Sequence, residues 1–195
     1  SASPRPLACA SGSPRSASAQ QSSIPYILTE YARPFTALPT SATSVPVTST
    51  DDGAGLVNIP FPFTYYGETF NAVNVGVNGV LTFAATCGSG SPACTQGVCN
   101  ATAGVCVESF LSTSPPFASP RLPSAAGTDG FVAPFWDDLI IGSGSSVRFA
   151  TVGTAPRREL VIEWRDIQRF SRSVANATFQ VRLEEGTNAI RVHYG

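Results

Sequence analysis

Five cysteines, one histidine and a pair of adjacent aspartates are the residues of this chain whose chemistry could reach beyond packing. The cysteines stand at positions 9, 87, 94, 99 and 106, the last four spaced C-x6-C-x4-C-x6-C. Structural zinc sites use closely spaced cysteine pairs or interleaved histidines. Neither pattern occurs, so no metal is expected at Cys87, Cys94, Cys99 and Cys106. Asp137 and Asp138 lie in FWDDL. Paired carboxylates can bind calcium or perform acid–base work. Calcium takes about six to eight oxygen ligands, and no ladder of acids surrounds this pair. A turn in which aspartate accepts backbone N–H bonds is the expected role. Asp51-Asp52 and Glu184-Glu185 read as solvated turn charges. His193 has no G-x-S-x-G elbow to serve. Walker and dinucleotide-glycine motifs are missing too. No catalytic residue and no cofactor are expected, and the chain reads as non-enzymatic. Asn100-Ala-Thr and Asn176-Ala-Thr match the N-glycosylation sequon.

The bulk composition narrows the partners. The chain has 195 residues, 43% hydrophobic and only 13% charged, with a net charge of −1. That length suits one domain with an arm and can bury a sizeable core. No basic stripe exists to neutralise a phosphate backbone, so nucleic acid is excluded as a partner. All 12 basic residues are arginine, which removes lysine-based covalent chemistry. No apolar run reaches the ~18–20 residues of a membrane span. The opening SASPRPLACASG, broken by proline and arginine, does not read as a signal peptide, and a mature chain is expected.

These residues must be positioned by strands. Val73, Val75 and Val77 alternate with Asn74, Gly76 and Asn78, the period of two that places every second side chain on one sheet face. Asn78-Gly79 then signals a two-residue type I′ turn, with Val80, Leu81 and Phe83 returning. Ile59–Phe63 reads as a neighbouring strand. Ile24–Leu28 and the Val45/Val47 region read as edge strands, Phe131–Phe135, Val147–Val152 and Glu159–Gln168 as further strands. Leu160, Ile162 and Trp164 share one face of the last. Ala177–Leu183 and Ala189–Tyr194 form a second hairpin. In it Phe179, Val181, Leu183, Ile190, Val192 and Tyr194 point inward, and Gln180, Arg182, Arg191 and His193 outward. No helical period is present. The expected fold is all-β, an antiparallel β-sandwich of jelly-roll-like form. Residues 1–22, nearly free of large apolar side chains, form an extended arm that is disordered alone. Residues 23–195 form the sandwich, interrupted by a Cys/Pro/Ser-rich insertion at 87–130.

The blocks FPFTYYGETFNAVNVGVNGVLTF, FVAPFWDDL, VIEWRDI and ATFQVRLEEGTNAIRVHYG, in this order, resemble the nidogen-like (NIDO-type) extracellular domain. Similar modules occur in plexin-domain-containing receptors and large secreted bacterial proteins. The resemblance covers residues 23–195 and brings no catalytic residues. It implies an extracellular or cell-surface location, where disulfides form. Two bridges among Cys87, Cys94, Cys99 and Cys106 would staple the insertion. Of the three possible connectivities, local pairing of 87 with 94 and 99 with 106 is the expectation. Cys9 is then left for an intermolecular bridge, unless it pairs with one of the four. Members of the family usually continue beyond the position of Tyr194, so either the sequence is truncated here or a neighbour fills the gap, and an unfilled gap would leave an open sheet edge at the C-terminal strand. Together these features suggest a structural or adhesive protein that assembles with its own copies into a filament or surface matrix, through the arm and that edge. The alternative is a glycan- or protein-binding accessory module, with loop aromatics such as Tyr65, Phe117 and Phe170 as contacts.

Overall fold

A computed structural model describes residues 27, 29–84, 131–170 and 176–195, together with the backbone of 97–100 and 105–108. All regular structure among them is β, with no helix. Among the described residues twelve strands are present: β1 (Thr43–Ser44), β2 (Ala54–Tyr65), β3 (Glu68–Gly76), β4 (Leu81–Phe83), β5 (Gly97–Asn100), β6 (Val105–Glu108), β7 (Phe131–Val132), β8 (Leu139–Ile140), β9 (Ser146–Val152), β10 (Glu159–Arg169), β11 (Ala177–Glu184) and β12 (Ile190–Tyr194). They form a six-stranded sheet in the order β1-β9-β10-β11-β12, with β8 also on β10, and a four-stranded sheet in the order β2-β3-β4-β7. β5 and β6 pair separately. Every pairing is antiparallel. The architecture is an antiparallel β-sandwich.

Alternation explains the core between the sheets. Ile59, Phe61, Phe63, Val73, Val75 and Val77 come from one sheet, Leu160, Ile162, Trp164, Phe179, Val181 and Leu183 from the other, and all are buried in one cluster. Trp164 stacks on Phe179, with ring centroids 4.9 Å apart. Its indole Nε1–H donates to the Gly76 carbonyl across the sandwich at 3.1 Å. On the edge strand β12 the alternation has less to pack against: Ile190 is only partly buried and Tyr194 is 62% exposed. Tyr194 therefore stands outside the core, its hydroxyl donating to the Pro134 carbonyl.

β2 is longer than the sequence suggests, and its ladder with β3 is broken between Asn58 and Phe63. Pro60 and Pro62 fall in that gap, where an N–H donor is missing at each. The two-residue turn is also displaced. Tyr66 and Gly67 both have positive φ, 48° and 85°, and join the register pair Tyr65–Glu68 as a type I′ hairpin requires. At Asn78-Gly79 only Gly79 is positive, at 74°. Gly79 N–H bonds the Gly76 carbonyl and Gly76 N–H bonds the Val80 carbonyl, which is a three-residue loop. The buried Asn78 side chain explains the difference: its Nδ2 donates to Asp52 and its Oδ1 accepts from the Leu139 amide, both at 2.8 Å.

A Cβ at Gly79 would sit 2.0 Å from the Phe135 carbonyl oxygen. Gly79→Ala combines this backbone clash with a left-handed φ that itself costs ~1–2 kcal/mol. A loss of at least that size is expected in urea unfolding, whereas Gly144→Ala, with open space around its Cβ, should show only the φ cost.

Candidate functional site

The loops at one end of the sandwich gather carboxylates from two segments. Asp51 forms an isolated bridge with Ile140, and this brings the 51–52 turn beside Asp138. Carboxylate oxygens of Asp51, Asp52 and Asp138 lie within 4.8 Å of one another. Burial, then the charges of Asp52 and Asp138, raise the Asp51 pKa. Asp137 does not join them. It pairs with Arg169 at 2.7 Å and accepts the Asp138 amide at 3.0 Å, the turn role. The adjacent pair of the sequence is thus divided, and Asp51-Asp52 is a braced turn, with Asp52 held by Asn78. Chemically the cluster is an oxygen-only set of three acids, short of the about six to eight ligands calcium takes.

The second constellation lies on the outer face of the six-stranded sheet. Strand register aligns Arg148, Glu163, Gln180 and His193 side by side across β9, β10, β11 and β12. Alternation points them away from the core, yet all are buried, Glu163 and Gln180 completely. Their cover is the segment Tyr31–Pro39, which crosses the strands as an irregular strap. The Leu38 amide donates to Glu163 Oε2 at 2.7 Å, and Gln180 Nε2 donates to the same oxygen at 2.7 Å and to the Thr36 carbonyl at 2.9 Å. Arg148 donates Nη1 to the Pro39 carbonyl at 3.1 Å and Nη2 to Glu163 Oε1 at 3.3 Å. Arg182 fixes the other end of Gln180, donating Nε and Nη2 to its Oε1. The row holds the strap largely by its main chain: these bonds to the strap reach backbone atoms of Thr36, Leu38 and Pro39. Of the strap's side chains only Leu38 is buried.

His193 ends the row, its Nε2 sharing a 3.1 Å hydrogen bond with the Tyr31 hydroxyl. Burial lowers its pKa, reinforced by Arg182, Arg33 and Arg191 and opposed by Glu159. The folded chain therefore keeps His193 neutral to lower pH than an unfolded chain does. The unfolded chain takes up the proton first, so this contribution to stability is complete above about 6.5 and is lost as pH falls below it. His193→Gln should flatten the pH dependence of the urea midpoint in that window. Between strap and β12 lies a cleft of about 500 Å³ lined by Tyr31, Arg33, Val192, His193 and Tyr194.

Both acids of the β11–β12 turn are paired, unlike solvated turn charges. Glu184 is buried and bonds Arg191 at 2.7 Å. Glu185 forms a two-pronged pair with Arg158, whose Nε and Nη2 approach at 2.9 and 2.7 Å. The hydrogen bonds from Arg158 draw the Glu185 pKa down to about 2.

A family model described as NIDO related matches residues 25–195. The chain belongs to the nidogen-related family. No curated protein and no solved structure matches it. Family membership points to an extracellular module, and no helix among the described residues is long and apolar enough to cross a membrane.

In this nidogen-related domain the remaining sequence candidates separate. The 1–22 arm, Cys9, Cys87, Cys94 and Phe117 lie outside the described residues, as does most of the 87–130 insertion. Cys99 and Cys106 occupy opposed positions in the β5–β6 register, and Asn100 ends β5. Asn176 is exposed just before β11. Tyr65 belongs to the core, stacked on Phe83, and its neighbour Tyr66 is the exposed ring. Phe170 is 44% exposed. Sequence reasoning missed Glu163, Arg148 and the strap. The one available signal was a glutamate set between apolar residues in the run LVIEW of β10.

Proposed function

We propose that this domain is a non-catalytic structural or adhesive module of the extracellular space that assembles with further copies of itself. The observation that carries this reading is the strap: the N-terminal segment is an applied element, seated on the sheet through main-chain bonds rather than woven into it. The arm of residues 1–22 lies upstream of it, separated by residues 23–30. Among the described residues β12 ends the sheet order and offers an edge for strand addition. A non-catalytic role is supported by His193, which is engaged by Tyr31 and held neutral among arginines. Disulfides in the 87–106 segment and an intermolecular role for Cys9 suit the same compartment. Light scattering and negative-stain imaging of the full chain and of a chain starting at Ser23 test the reading. Large particles or filaments are expected from the full chain, and their persistence in the shortened chain would assign assembly to the sandwich and its strap rather than to the arm. Compact monomers from both would overturn it.

A second reading, a module that binds glycan or matrix protein, is favoured by the cleft beside β12. There the partly exposed rings of Tyr31 and Tyr194 flank Arg33. Glycan-array binding by a strictly monomeric full chain would support it over assembly.

A further inference from the structure

We propose that the buried row Arg148–Glu163–Gln180–His193 is the receptor through which copies join, and that its occupant in an assembly is the Tyr31–Pro39 strap of a second copy. This rests on the assembly reading above and names the surface it uses. The sheet's outer face, rather than the β12 edge alone, becomes the docking site.

The chemistry of the row fits an extended main chain. Glu163 Oε2 takes an amide N–H, while Gln180 Nε2 and Arg148 Nη1 each donate to a carbonyl. Donor and acceptor groups thus alternate along the strap at Thr36, Leu38 and Pro39. With the strap lifted, water would solvate the carboxylate, the guanidinium and the amide, so the row's preference for the strap rests on the match of its groups to an extended main chain.

The strap is also the element best suited to exchange. Leu38 is its only fully buried side chain and Phe35 is partly buried beside Gly195, so a modest apolar area holds it down. It joins the sandwich through the turn at Pro39–Ala42, closed by the bond from the Ala42 amide to the Pro39 carbonyl at 3.0 Å, just before β1. Opening that turn swings Tyr31–Pro39 away without disturbing any strand pairing. The same segment of another copy then remakes every bond, because the contacts are identical within and between chains. Exchange costs only hinge rearrangement and association entropy. Reciprocal exchange closes a dimer, and head-to-tail exchange propagates a chain of subunits.

Photo-crosslinking of the full chain tests this. A benzophenone side chain replaces the exposed Thr36 in a uniformly 15N-labelled copy, which is mixed with unlabelled wild type, unfolded and refolded together. The assembled fraction is isolated by size, irradiated and analysed by mass spectrometry. Crosslinks from position 36 to the β11 peptide containing Gln180 are expected to join labelled to unlabelled chains in the proportion of random mixing. Leu38→Pro, which deletes the amide that bonds Glu163, should deplete the assembled fraction while near-ultraviolet circular dichroism still reports a packed Trp164. If assemblies form but these crosslinks stay within labelled chains, the receptor assignment falls and assembly itself stands. If no assembled fraction forms, both fall.

Discussion

Trp164→Ala is expected to cost about 3–5 kcal/mol, the range for truncating a fully buried large aromatic ring. The ring is completely buried and stacked on Phe179. It is also the one polar tie described between the sheets' facing surfaces at this point, through Nε1 to the Gly76 carbonyl. Truncation opens a cavity in the middle of the sandwich and leaves that carbonyl with the Gly79 N–H, 3.2 Å away, in place of two donors. Trp164→Phe separates the two effects. It keeps much of the packing and loses the hydrogen bond, so a cost nearer 1–3 kcal/mol is expected. Domains of this kind have about 5–15 kcal/mol in all. Urea unfolding followed by far-ultraviolet circular dichroism should therefore show a large fall in midpoint for Trp164→Ala and a smaller one for Trp164→Phe. Equal falls would mean that packing contributes little beyond the hydrogen bond.

Glu163→Gln is expected to be nearly as damaging, although it changes almost no volume. Glu163 Oε2 accepts from the Leu38 amide and Gln180 Nε2, and Oε1 accepts from Arg148 Nη2. A glutamine has one acceptor oxygen for these three donors. Whichever way its amide is turned, an NH2 group faces another donor. The substitution also leaves Arg148, whose side chain is 10% exposed, without its carboxylate. Breaking a buried pair by removing one partner costs about 3–5 kcal/mol. The contrast is Asp137→Asn. Its ion pair with Arg169 is about as short as any here, 2.7 Å, but the side chains are 36% and 32% exposed. Solvent screening limits such a pair to about 0–1 kcal/mol. Comparable losses for the two substitutions would contradict a buried, strap-covered Glu163.

The sandwich was legible where a local pattern decides the outcome. The period of two at Val73–Val77 and at Phe179–Leu183 assigns faces correctly, because burial of one sheet face leaves no alternative register. The hairpin turn was misplaced because two dipeptides compete. Asn78-Gly79 carries the stronger local signal, but tertiary bonds from the Asn78 side chain to Asp52 and Leu139 hold it out of a type I′ turn. Tyr66-Gly67 accepts positive φ instead. The polar row was half legible. Alternation turns Gln180 and His193 away from the core, but it does not say what lies over them. Leu38 and Glu163 are 125 positions apart, and nothing in either neighbourhood announces the other. The acidic cluster was hidden for the same reason. Sequence adjacency suggests Asp137 with Asp138, whereas the Asp51–Ile140 bridge selects Asp138 with Asp51 and Asp52.

Hydrogen exchange at the Leu38 amide tests most directly whether the buried row holds main chain. That N–H has no partner in a strand ladder and owes its place to Glu163 Oε2, 2.7 Å away. Amide exchange resolved to single residues should show Leu38 protected together with the central strands β10 and β11, while exposed Ala32 and Ala37 exchange freely. Protection should persist whether the strap comes from the same chain or from a second copy, and it should vanish in Glu163→Ala. Leu38 exchanging as fast as Ala32 in the wild-type chain would contradict the strap, and with it the receptor built beneath it.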